Sequence, residues 1–341
     1  MNMLSFEGAP QGAHARLEAL GLADLVGFEP AVASPLAWLA IPVLAAYLLG
    51  VLRLRAQGRR WPVMRSISFA LGCLVWFLAC GLAVNGAAAE LVSALLFQQI
   101  TLMVVVPPLL LMGGPGSLVL RATPHRGPGR WLLRAALGGA RSRTARVLLH
   151  PATAIVIALL AFPALYFSDA ISALLAVPGG HTIALAVFLG AGIVAAGPLW
   201  AIDPLPRTPS YVVRLIDVLI EIQVHAIFGL ILLLSTGPMF RWFAADPGAW
   251  GITRALDQAI AGGLIWSYGE LPLLLVLIVT LSKWRRSDQL RSKRRRAEED
   301  AELDAYNAVL AERFGGGDAG AAGAGGGTAA AGGACGSDSR G

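Results

Sequence analysis

Two carboxylic acids and an imidazole sit in one apolar, helix-length stretch. Residues 211–236, YVVRLIDVLIEIQVHAIFGLILLLST, contain Asp217, Glu221 and His225, four and four apart. In a helix that spacing turns all three toward nearly the same face, one turn apart. Acids and an imidazole stacked in this way can form a polar path for protons or ions. Glu221, one turn from His225, is close enough to fix the tautomer of the imidazole or raise its basicity. Leaving the column in lipid would be costly, so the surrounding helices must offer it partners, water or a ligand.

Other candidate donors lie elsewhere. Cys73 and Cys80 are seven residues apart in an earlier apolar stretch and Cys335 is near the end, so the chain carries no disulfide framework. Cys80 falls about 14 residues into its stretch, roughly 20 Å along a helix, and His225 has a similar offset from Tyr211. The two are therefore candidates for one layer, and a small buried core cysteine is the alternative. Gln98 and Gln99, His181, Met239 and Asp257 are expected in the same layer. Each also has a purely structural reading: the glutamines as interhelical hydrogen-bonders, His181 at the interface, Met239 facing lipid, Asp257 capping its own helix. Glu270 lies about 20 Å further along than Asp257 and again needs a partner. Met239 is also a possible soft ligand.

The elements that must position these groups are membrane helices. Of 341 residues, 56% are hydrophobic and 14% charged, and the mean hydropathy is +0.66, too apolar for a soluble domain. Seven apolar segments, 36–52, 66–86, 91–113, 150–168, 182–202, 211–236 and 258–282, each approach the roughly 20 residues needed to span. The fold expected is all-α and polytopic, with seven transmembrane helices. Lys and Arg number five in 53–65, seven in 114–149, two in 203–214 and eight in 283–296, which makes 22 on one side. Arg16, Arg241 and Arg254 lie on the other. The positive-inside rule then places the N-terminus outside and the C-terminus in the cytoplasm.

That placement also speaks against nucleic acid as the meaning of the +6 net charge. Residues 1–34 form an extracytoplasmic segment without the pattern of a cleavable signal peptide. The membrane domain is 35–285. The charged stretch 286–314 extends the last helix and touches anionic lipid. The Gly/Ala-rich tail 315–341 has almost nothing to bury and is expected to be disordered. Without a nucleophile elbow, P-loop, HExxH or CxxC, the chain does not read as an enzyme.

Several of these stretches together resemble the CtaG family of bacterial cytochrome c oxidase assembly factors. Asp257, Gln258, Gly262, Gly263, Trp266, Gly269 and Glu270 match its DQ…GG..W..GE signature. LLFQQITLMVVVPPLLLMGGP (95–115), FPALY (162–166), GPLWAIDPLPR (197–207), HAIFG (225–229) and GPMF (237–240) follow in the family's order. Coverage is roughly 36–290. Leu95 and Gln99 stand where the family's third span usually carries a histidine pair, and Ala161 where a histidine precedes the fourth-span proline. His225 and His181 match.

The resemblance implies a plasma-membrane protein that helps mature a haem-copper oxidase, partnering its subunits and handling copper for its metal centres. Imidazole, thiolate and thioether donors suit copper, and two or three of them suffice for Cu(I). His225, His181, Met239 and Cys80 are then the candidate ligands, with Glu221 or Asp217 placed to orient an imidazole. Two other readings stand beside it: a proton or copper-ion transporter built on Asp217, Glu221, His225 and Glu270, and a metal-free scaffold for oxidase subunits, which the missing third-span histidines favour.

Overall fold

The computed structural model describes residues 27, 30, 33–124, 127–168, 170–200, 209–240, 242–243 and 250–315. The expectations for the N-terminal segment, the Gly/Ala-rich tail, Cys335 and most of GPLWAIDPLPR lie outside the described residues. Helix α1, Pro35–Ala56, starts at Ser34, whose hydroxyl accepts from the Leu36 amide at 3.3 Å, and Pro35 occupies its first turn. It ends before Gly58, which turns the chain at φ 71°. Helix α2, Val63–Gly81, runs back beside it, and a short α3, Val84–Ala87, follows. The chain then forms α4 (Val92–Ile100), a π-helical turn (Thr101–Val105), α5 (Val106–Met112) and, past Gly113–Gly114, α6 (Pro115–Ala122).

Two smaller helices, α7 (Pro128–Arg141) and α8 (Arg143–Leu148), precede α9 (Pro151–Leu159), which passes into a second π-helical turn, Leu160–Ala164. The remaining helices are α10 (Ala170–Ala176), α11 (Gly180–Trp200), α12 (Tyr211–Leu234), α13 (Arg254–Ser267) and α14 (Glu270–Gly315). Among the described residues there is no strand.

Among the described residues six helical stretches are long and apolar enough to cross a membrane: Pro35–Ala56, Val63–Gly81, Val92–Ala122, Gly180–Trp200, Tyr211–Leu234 and Arg254–Arg313. The fourth expected span is shorter. Its apolar helix, Ala152–Ala164, falls below 18 residues, bounded by Pro151 at its start and loosened at Pro163 in the π turn. The third runs beyond residue 113 to Ala122. The last begins at Arg254 and is interrupted by a turn at Tyr268–Gly269.

Both π turns have a proline cause. Pro107 and Pro108 follow the first and Pro163 lies within the second, and a residue without N–H cannot close the α-helical bond, so the coil widens locally. Gly192 on α11 presses directly on the first: a Cβ there would lie 2.2 Å from the Met103 carbonyl oxygen. Gly229 on α12 and Gly262 on α13 let those helices meet backbone to backbone, since a Cβ on Gly262 would lie 2.6 Å from the Gly229 oxygen.

The bundle belongs to a compact unit, Met1–Ser282, with two apolar clusters inside it. One gathers Leu95, Ile100, Phe162, Phe188, Phe228 and Ile265, the other Leu36, Cys73, Cys80, Leu102 and Leu185. The opposite faces stay apolar and exposed, as in Ile216, Leu219, Ile227 and Leu230 of α12, which suits lipid rather than water. The second unit, Lys283–Gly341, is helical through Gly315, and apart from Ser287 and Leu310 the side chains described in it are exposed.

Candidate functional site

The site is built on α12. Ser210 caps it, its hydroxyl accepting from the Val213 amide at 3.3 Å. The residues it buries are Asp217, Val218, Glu221, His225, Phe228, Gly229 and Leu232, a stripe at the helical period. Asp217, Glu221 and His225 are 1%, 4% and 2% exposed, so the column points into the bundle.

His225 Nδ1 lies 2.8 Å from the Glu221 main-chain oxygen. A carbonyl only accepts, so Nδ1 carries the proton, and in the neutral ring Nε2 presents its lone pair. The ring is oriented by the carbonyl one turn back, not by the Glu221 or Asp217 carboxylate. Phe162, from the second π turn, meets the imidazole edge-on at 5.3 Å between centroids. Among the described residues Nε2 has no hydrogen-bond partner, and neither do Glu221 Oε1, both Asp217 oxygens, Trp200 Nε1, Gln99 Nε2 and Glu270 Oε1.

Part of that set surrounds one cavity of about 30 Å³, lined by Glu221, His225 and Trp200 with Met103, Val104 and Pro272 among its apolar walls. That volume suffices for one or two waters. The first π turn supplies Met103 and Val104 to this wall and the second supplies Phe162 to the ring. Met103, a soft thioether beside the His225 imidazole, reads as ordinary apolar filler in sequence. So do Trp200 and the widened turns.

A second polar layer involves the positions where the family's histidines are replaced. The Gln98 amide donates to the Ala79 oxygen at 2.6 Å and to Asn85 Oδ1 at 3.0 Å, and its oxygen pairs with His181 Nε2 at 3.0 Å. His181 therefore donates from Nε2. Gln99 Oε1 accepts from the Tyr166 hydroxyl at 2.5 Å. Both glutamines are fully buried, and Leu95 fills the core beside them.

Asp257 does not cap its own helix. Thr253 does, accepting from the Leu256 amide at 3.3 Å. The Asp257 carboxylate instead receives the amides of Val92 and Ser93, at 2.7 and 3.1 Å, together with the Ser93 hydroxyl. It thus caps α4, whose own Leu91 has no side chain for the task. The neighbouring Gln258 accepts from the Met239 amide at 2.8 Å and donates to the Gly237 oxygen at 3.2 Å. Together the pair ties α13 to the start of α4 and to the GPMF segment.

The proposed copper ligands lie in different surroundings. Cys80 is buried in the second apolar cluster, His225 packs on the first, and His181 is engaged with Gln98. Met239 is tied through its amide and 41% exposed. Among the described residues no three His, Cys, Asp or Glu side chains are placed to share a metal ion. Glu270 opens α14 half-buried.

The chain is 31% identical over 281 residues to uncharacterized proteins of Mycobacterium bovis and Mycobacterium tuberculosis, and 29% identical to one of Mycobacterium leprae. The match covers 78% of this chain and 42% of each relative, so the chain spans less than half the length of the curated relatives it matches. No solved structure matches it. Residues 45–287 match the model of the cytochrome c oxidase caa3 assembly factor family, Caa3_CtaG, and the chain belongs to that family.

Proposed function

We propose that this protein supports maturation of a haem-copper oxidase from within the plasma membrane, as a scaffold that engages oxidase subunits through its helix faces, and that it crosses the membrane seven times with the N-terminus outside. One observation carries the scaffold reading over resident copper chemistry. In the layer at Gln98, Gln99 and His181, the Gln98 amide, the Gln99 oxygen and His181 Nε2 are committed to hydrogen bonds, which leaves His181 Nδ1 as the imidazole lone pair that this layer offers a metal.

Deletion of the gene, complemented with wild type or His225→Ala, tests it. Mature oxidase should fall on deletion and return with either copy. Failure of His225→Ala protein that is present at normal abundance would sink the metal-free scaffold.

A second reading has its own observation. His225 Nε2 and the Met103 thioether line one cavity with Glu221, an imidazole–thioether pair suited to Cu(I) as cargo. Cu(I) bound stoichiometrically by the purified protein, and lost in Met103→Leu, would favour it. The transporter reading draws on the same column and requires ion flux in proteoliposomes that falls in Glu221→Gln.

A further inference from the structure

A second cavity differs sharply from this column in composition. It is a cleft of about 780 Å³ between α1, α2 and α6, walled by Val43, Leu49, Phe69, Leu118 and Val119, with Arg53 on its lining. That volume lies within the range of about 300–1,000 Å³ typical of ligand clefts. Its floor is rigid: Tyr47 stacks on Phe69 at 3.9 Å, donates to the Gly113 oxygen at 2.8 Å and accepts from Trp61 Nε1 at 3.1 Å.

The Arg53 end of the cleft is strongly cationic. The guanidinium carbons of Arg65 and Arg121 lie 5.3 and 5.6 Å from the Trp61 ring, and Arg59 donates to the Arg121 oxygen at 3.1 Å. Arg59, Arg65 and Arg121 thus gather about Trp61, and Arg53 lies in the last turn of α1. The sequence between Pro35 and Ser168 holds twelve arginines and one acid, Glu90, which accepts from Trp250 Nε1 at 2.6 Å. No carboxylate of this segment balances the cluster.

The same end carries α7, whose Gly129 lines the cleft. Its exposed Trp131, with Arg134 at 5.5 Å from the ring, is the pairing expected at headgroup depth. An apolar cleft with an unbalanced guanidinium cluster at one end complements one class of molecule: an amphiphile with an anionic head.

We propose that this cleft binds an anionic phospholipid, one acyl chain along Val43, Phe69 and Leu118, its phosphate held by Arg53 and Arg121. Two guanidinium contacts at about fivefold each set the expected contribution at roughly 25-fold in affinity.

The test uses full-length protein in phosphatidylcholine nanodiscs, with phosphatidylglycerol titrated in and bound lipid counted by native mass spectrometry. Wild type and Arg146→Gln, an arginine not on the cleft, should each retain about one phosphatidylglycerol. Arg53→Gln/Arg121→Gln should need roughly 25-fold more, and Arg53→Lys/Arg121→Lys should recover most of the loss, which separates charge from misfolding. Equal retention of phosphatidylcholine, no retained lipid, or unchanged retention in the double Gln variant at wild-type monodispersity would each overturn the proposal.

Discussion

Replacing Gly262 with Ala should destabilise the bundle, while the same change at Gly263 should not. The added Cβ at 262 would meet the Gly229 carbonyl oxygen and the Leu233 nitrogen at 2.6 Å, both backbone atoms that cannot rotate away. Ordinary contact begins at 3.4 Å, so α12 and α13 must separate by roughly 0.8 Å at their crossing. A gap of that size forfeits about a quarter to a half of the dispersion along the shared face, and overpacking of this kind costs about 1–3 kcal/mol. Against it stands the helix propensity gained on replacing Gly, about 1 kcal/mol. The clash wins at 262 and propensity wins at 263, where nothing lies within 4 Å of the new atom. Thermal unfolding of the detergent-purified variants, read by tryptophan fluorescence, should show Gly262→Ala several degrees below wild type and Gly263→Ala at or above it. Equal shifts for the two would refute the backbone crossing as the closest contact between these helices.

Asp257→Ala should cost about 3 kcal/mol, because three donors to its carboxylate lose their partner inside the bundle; Thr253→Ala, the cap of α13 itself, should cost about 1 kcal/mol in the same assay. Tyr166→Phe strips Gln99 Oε1 of its donor and should lower stability by about 1–2 kcal/mol without changing helix content by circular dichroism. Gly192→Ala should be among the most damaging single changes, at about 3 kcal/mol or lost expression, since its Cβ would overlap the Met103 carbonyl. If copper passes through the small cavity, Met103→Leu should weaken Cu(I) binding while Met239→Leu leaves it unchanged, as read by competition with a chromogenic chelator.

Local features of this fold were legible in the chain because they repeat at the helical period. The column of Asp217, Glu221 and His225 needed only spacing four, and the exposed apolar face of α12 follows from what lies between. Gly262 was legible as a small-residue contact. Its partner was not: Gly229 lies 33 positions away, and the adjacent Gly263 looks identical in sequence but faces open space. Asp257 shows the same limit. A carboxylate near a helix start suggests a cap for that helix, and only the tertiary fold delivers it to Val92 and Ser93, 165 and 164 residues away. The short fourth helix and the two π turns escape a period-based reading because proline changes the hydrogen-bond register without changing the hydropathy.

Those π turns bear on why the column survives. Polar atoms buried in a membrane bundle without partners cost stability, and Asp217, Glu221, His225 and Trp200 hold five such atoms between them. A well-packed apolar substitute would remove that cost, so the column is maintained for something other than stability. The surrounding chain is shaped to the same end. One widened turn brings Met103 to the cavity and the other brings Phe162 to the His225 ring, while the Glu221 carbonyl fixes which nitrogen stays open. The polar layer at Gln98 and Gln99 is tied up in hydrogen bonds by contrast, apart from the Gln99 amide nitrogen. Substitutions there should act on stability, and substitutions at His225 and Glu221 on whatever the cavity admits. A Glu221→Gln protein that folds as stably as wild type yet fails to support oxidase maturation would place the function in the column. Failure tracking loss of folded protein in both layers alike would assign the column to architecture.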